Sequence, residues 1–114
     1  AMPLAELGHL CRAFGCLLFV DAIQAVGATP LDAGALGLDF LAAGAHKWLS
    51  GILGAGFLYV RPGAERELVP HGVGWMSLAD PERFLFADQG PVPFAAPAAE
   101  GVARLEPGVL PFAA

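Results

Sequence analysis

The chain has 114 residues, of which 56% are hydrophobic and only 15% charged, with a formal net charge of −5. That length allows one domain or a piece of one, and a net negative charge without any basic cluster argues against a nucleic-acid partner. A soluble domain usually carries about 25% charged residues, so a mean hydropathy of +0.61 implies that much of the chain is buried in a larger protein or against partners.

Residues 3–14 are expected to form an amphipathic helix. Leu4, Leu7, Leu10, Cys11 and Phe14 recur at helical spacing, Pro3 suits a first turn and Gly15 suits the end. Cys11 and Cys16 stand around the end of this helix, a poor geometry for bridging each other. With His9 they would make an incomplete metal site, since a fourth ligand at fitting spacing is missing. Two reduced, buried core cysteines are expected, which fits a cytoplasmic setting.

Residues 17–20 form a continuous apolar run of strand length that stops at Asp21. A strand apolar on both faces belongs inside a parallel sheet covered by helices. Residues 22–27 suit a helical turn. Asp32 can cap a brief helix over residues 33–36, closed by Gly37. A second buried strand is expected at residues 39–43, then a turn region holding Gly51, Gly54 and Gly56, then a third strand at residues 56–60. A short helix over residues 64–69 ends at Pro70. Seven of the ten prolines lie from Pro70 to Pro111, so residues 71–114 read as loop-rich, with residues 81–86 as their best helical turn. The order helix–strand–helix–strand–turn–strand is that of an α/β layer.

A membrane span fails on length: the uncharged run at residues 48–60 is thirteen residues, against about 20 for a spanning helix. No basic stretch precedes an apolar one at the start, so no signal peptide is expected. A chain that opens on Ala1 and stops in a proline-rich tract reads as part of something longer.

Residues 39–59 are almost wholly apolar or glycine, yet His46 and Lys47 sit in their middle, and Lys47 is the only lysine in the chain. An apolar surround disfavours the ammonium and favours a reactive amine. The alternative is that Lys47 ends a strand and snorkels into water. In α/β sheets, ligands bind outside the carboxyl ends of the strands. Asp21 and Lys47 both follow strand ends, so with parallel strands they can face one crevice. Asp21, Gln24, His46 and Lys47 then form a set. Read bluntly, the acid and the lysine make a salt bridge. Read chemically, a lysine and an acid are what pyridoxal phosphate requires, the first for an imine and the second beside the ring nitrogen. The glycines of 51–56 do not make a nucleotide loop, because their order is reversed from the dinucleotide fingerprint and they precede a strand.

The stretch VDAIQAVGATPLD, then DFLAAGAHKWL and GAGFLYVR, resembles the class V aminotransferases, the fold-type I pyridoxal-phosphate group that includes cysteine desulfurases. HGVGWMSLADPERF and RLEPG look like the continuation of that family, so the resemblance covers nearly the whole chain. It implies an α/β fold, part of a mostly parallel-sheet large domain, with residues 1–70 as the cofactor-binding core and residues 71–114 as its loop-rich continuation. The family's upstream region and C-terminal small domain, with its arginine for the substrate carboxylate, are not expected in this chain.

The resemblance also implies roles. Asp21 pairs with the pyridine nitrogen of pyridoxal 5'-phosphate, Gln24 meets the phenolic oxygen, and His46 reaches the phosphate. Lys47 carries the internal aldimine and moves the α-proton. Ile23 takes the place of a small residue packed on the ring. The substrate class is an amino acid or amine, and the assembly is a homodimer, with no nucleic acid and no membrane. The chain departs from the family pattern at Gly44-Ala45, where a polar residue and glycine are usual, at Ile52 in place of proline, and at Val109 in place of threonine. Neither cysteine sits where a desulfurase keeps its nucleophile, which favours a transaminase, lyase or epimerase. Two alternatives remain: a degenerate, non-catalytic segment of the same family, and an unrelated α/β nucleotide-binding domain.

Overall fold

The computed structural model describes residues 2–85 and 96–108. Between Ala64 and Glu65 the described chain divides into two compact units.

The first unit opens with α1, Leu4–Ala13. Gly15 at φ +65° ends it in the left-handed turn that glycine adopts without steric cost, with the Cys16 amide donating back to the Cys11 carbonyl at 2.8 Å. Three strands follow: β1, Phe19–Asp21, β2, Phe40–Gly44, and β3, Gly56–Val60. Their spatial order is β1-β2-β3. β1 and β2 run parallel, with Asp21 opposite Ala42. β2 and β3 run antiparallel, with Ala42 opposite Leu58. The sheet is therefore mixed, and the two strands that end near Asp21 and His46 share one direction, as the crevice argument requires.

The crossover from β1 to β2 is built from hydrogen-bonded turns. The helix expected over residues 33–36 is a single turn instead. Asp32 Oδ1 accepts the Ala35 amide at 2.9 Å, and the Leu36 amide donates to the Asp32 carbonyl at 3.0 Å. Gly37 at φ +68° then reverses the chain, and Leu38 drops into the core with no exposed surface. Gly34 and Gly37, each unfavourable in a helix by about 1 kcal/mol relative to alanine, oppose extension of the turn.

Leu38, Leu41 and Ala22 form the core, with Val20, Leu36 and Tyr59 packed against them. Val20, Leu41 and Tyr59 share one sheet face by register. On the opposite face Phe40 is buried, but its neighbour Phe19 is 57% exposed and Leu58 48%. The expectation that β1 is covered on both sides is thus corrected, because Phe19 and Asp21 are exposed and only Val20 packs against the core. Cys16 is also exposed and Cys11 half-buried, both as free thiols, which corrects the expectation of two buried cysteines. Leu10 and Phe14 of the α1 stripe face outward as well.

Asp39 joins all three strands. Its buried carboxylate accepts the Leu18 amide at 2.8 Å and the Arg61 Nε at 2.7 Å. The Arg61 amide donates to the Asp39 carbonyl at 2.8 Å. One side chain thus links the approach to β1, the approach to β2 and the exit from β3.

In the second unit, the helix expected over 64–69 is a 3-10 helix, Ala64–Glu67, that begins on the last residue of the first unit. Arg104, in the 3-10 helix Gly101–Leu105, donates to the carbonyls of Glu65 and Leu68. The 3-10 helix Trp75–Ser77 is closed by buried Ser77, whose hydroxyl donates to the Gly74 carbonyl at 2.7 Å. The turn expected at 81–86 is α2, Glu82–Leu85. Phe86 and Val109 lie outside the described residues. No described helix is long and apolar enough to cross a membrane.

Candidate functional site

A cleft of about 440 Å³ opens over the carboxyl ends of β1 and β2. Phe19, Asp21, Ile23, Gly44 and His46 are among its lining residues, with Phe57 from β3. Asp21 is the last residue of β1, and its Oδ1 accepts the Ile23 amide at 3.1 Å, a local turn that aspartate side chains readily make. Phe19 lies two residues earlier, so strand alternation puts it on the same face.

His46 folds back over the end of β2. A Cβ added at Gly44 would lie 3.0 Å from His46 Cε1 and 3.2 Å from Ile23 Cδ1. The missing side chain at Gly44 therefore makes room for the imidazole and for Ile23.

The loop that carries His46 and Lys47 is tied at its base. The Ala45 amide donates to the Ala55 carbonyl at 2.8 Å, and its carbonyl accepts the Gly51 amide at 2.8 Å. Within the loop, the Ser50 amide donates to the Lys47 carbonyl at 3.0 Å. Ser50 has φ +53°, the one non-glycine residue among those described with positive φ. Such a conformation is a strained one, costing about 1–2 kcal/mol for a residue with a side chain.

The structure brings Asp21 and His46 to one cleft. Gln24 and Lys47 are exposed on the adjoining loops and are not part of its lining. The desolvated setting expected for Lys47 is thus not formed by the described residues, and the alternative of a lysine that passes a strand end into water describes its placement. Trp48 and Leu49 beside it are exposed too, so the apolar stretch around the lysine is not itself a core. Two features escaped the sequence reading. Phe19 was recoverable from its i, i+2 relation to Asp21. The Asp39–Arg61 pair had only the faint signal of an acid and a base bracketing two strands.

The class-V aminotransferase family model matches residues 1–89. The chain belongs to this family. A family member in Bacillus subtilis, the uncharacterized aminotransferase YcbU, is 49% identical over 69 residues, 60% of this chain and 19% of that protein. The cysteine desulfurase IscS of Aeromonas hydrophila is 47% identical over 73 residues, 62% of this chain and 18% of that protein. Among solved structures, a C-DES mutant with glycine covalently linked to its pyridoxal-phosphate cofactor superposes with a TM-score of 0.77 at 31% identity, over 96% of this chain and 27% of that one. The chain therefore spans about a fifth of the length of these curated relatives. The α/β fold with its mixed sheet is that of the fold-type I pyridoxal-phosphate enzymes.

Proposed function

We propose that this chain is the cofactor-binding part of a pyridoxal-phosphate-dependent class-V enzyme that acts on an amino acid or amine, with Lys47 as the residue that holds the cofactor covalently. The observation that carries this reading is the convergence of Asp21 and His46 on one cleft at the carboxyl ends of parallel β1 and β2, with Lys47 directly after His46. The residues present fit the group. Asp21 offers a carboxylate acceptor, His46 a ring nitrogen donor, and Phe19 and Ile23 apolar surface for a flat ring. The absence of a side chain at Gly44 lets His46 and Ile23 pack at the cleft floor.

Bound there, the cofactor supplies an electron sink for the bonds at a substrate's α-carbon. Asp21 keeps the ring nitrogen protonated. His46 donates to the phosphate, and Gln24 to the phenolic oxygen. Lys47 would hold the cofactor covalently and supply the amine that takes and returns the α-proton. The chain works as a homodimer, with residues 1–70 holding the cofactor. Its free cysteines suit a cytoplasmic setting.

A second reading, a segment that keeps the fold without the chemistry, is favoured by the exposure of Gln24 and Lys47 and by the glycine at position 44. One experiment separates the two. The purified chain is incubated with pyridoxal phosphate and reduced with borohydride, and adducts are located by peptide mass mapping. A stoichiometric adduct on Lys47, absent in Lys47→Ala, is expected. A folded chain that yields no adduct supports the second reading.

A further inference from the structure

The two loops of the candidate site approach closely at a glycine. Gly27 follows the turn that carries Gln24. A Cβ added there would lie 2.7 Å from the carbonyl oxygen of Trp48 and 2.8 Å from its carbonyl carbon. Trp48 immediately follows Lys47. The obstructing atoms belong to the backbone, so no side-chain rotation relieves the overlap. Gly27 also has φ +88°, a conformation that side-chain-bearing residues avoid. The same position is held from the far side, because Ala45 anchors the lysine loop to Ala55 and Gly51. With its base fixed, that loop can answer a push at Trp48 only by moving its tip, which includes Lys47.

We propose that Gly27 is a positioning residue that sets how closely the Asp21–Gln24 loop approaches the His46–Lys47 loop. The proposal rests on the reading that these two loops share a cofactor site. Its physical content, however, is the spacing of the loops. A side chain at position 27 drives them apart. Errors of about 1 Å in placing reacting groups cost up to ~100-fold in rate.

The single lysine makes the test clean. Reductive methylation of the 114-residue chain with ¹³C-formaldehyde labels Lys47 and the N-terminal amine alone, and the lysine signal reports its surroundings without cofactor. The variants are Gly27→Ala and Gly63→Ala. Gly63 has φ +91°, yet a Cβ added there meets nothing within 4 Å. It carries the same backbone strain as Gly27 without the collision. Gly27→Ala is expected to shift the Lys47 signal and to lower the borohydride-trapped adduct about tenfold. Gly63→Ala is expected to match the parent on both. If Gly27→Ala does not fold, Gly27→Asn replaces it, because asparagine tolerates positive φ and still carries the Cβ. A folded position-27 variant with the parent's Lys47 signal overturns the proposal, as does an equal shift in Gly63→Ala. Absence of any adduct in the parent chain defeats the proposed function alone, and the Lys47 signal still decides the role of Gly27.

Discussion

At the residue scale, Asp39 shows how one carboxylate can matter more to the fold than its position in the sequence suggests. Burial by itself raises the carboxyl, but the Leu18 amide and the Arg61 guanidinium outweigh it and hold Asp39 below its usual range. Arg61 is about half exposed, with 46% of its side-chain surface accessible, so its share of the ion pair is screened by water. The Leu18 bond is the better shielded of the two. The sign of the pH effect follows from linkage. A carboxyl held low in the folded state contributes its full stabilisation above the unfolded value, about 3.9. That contribution is lost as the pH falls through the folded-state value. We expect the melting temperature of the chain to drop below about pH 4 and the slope to flatten in Asp39→Asn. At neutral pH that variant should cost roughly 1–3 kcal/mol, read by urea denaturation. An unchanged acid slope in the variant would assign acid lability elsewhere.

At the element scale, α1 meets the crossover through Gly8, which is buried. A Cβ there would run into the carbonyl oxygen of Leu36. In a free helix surface, glycine to alanine stabilises by about 1 kcal/mol. Here the sign reverses, since the helix must back away from the turn it covers. We expect Gly8→Ala to lose about 1–3 kcal/mol in urea denaturation. A gain of stability would mean that α1 is not held against residues 32–37. Such contacts were not legible in the sequence, where Gly8 looked like any helix-interior glycine. The two parallel strands were legible, because two continuous apolar runs each ended at a chemically loaded residue. The antiparallel direction of β3 was not, since the glycines of 51–56 permit several turn paths. The helix expected at 33–36 failed for a physical reason: the capping signal of Asp32 is present, but two glycines and the pull of Leu38 into the core stop it after one turn. Strand ends aim side chains at one edge, which made a crevice legible; the expected pair there was Asp21 with Lys47, whereas the cleft is lined by Asp21 and His46. The exposure of Lys47 is that of the snorkelling alternative; the desolvated setting is not formed because apolar neighbours in sequence are not apolar neighbours in space here.

At the scale of the whole molecule, the low charge and the open sheet face belong together. By register, Asp21, Ala42 and Leu58 lie in one row on that face, with Phe19 and the buried Phe40 one pair further along. Phe19 and Leu58 remain about half exposed, and Ile52 and Leu53, from the loop before β3, are exposed as well. Apolar exposure on this scale is uncommon for a monomer and favours association. The net charge of −5 opposes association only weakly at ordinary ionic strength, where charges are screened beyond about 8–10 Å. The chain in isolation should therefore self-associate in a concentration-dependent way, visible by sedimentation velocity across a dilution series. Leu58→Glu adds a charge to the open face and removes apolar surface there, without touching the core formed by Leu38 and Leu41. It should shift the distribution towards monomer while the circular dichroism spectrum stays that of the parent. Added salt should strengthen association of the variant more than of the parent, because only the variant carries the new repulsion. A parent chain that stays monomeric throughout the series would show that this face is shielded in solution by something other than a second copy.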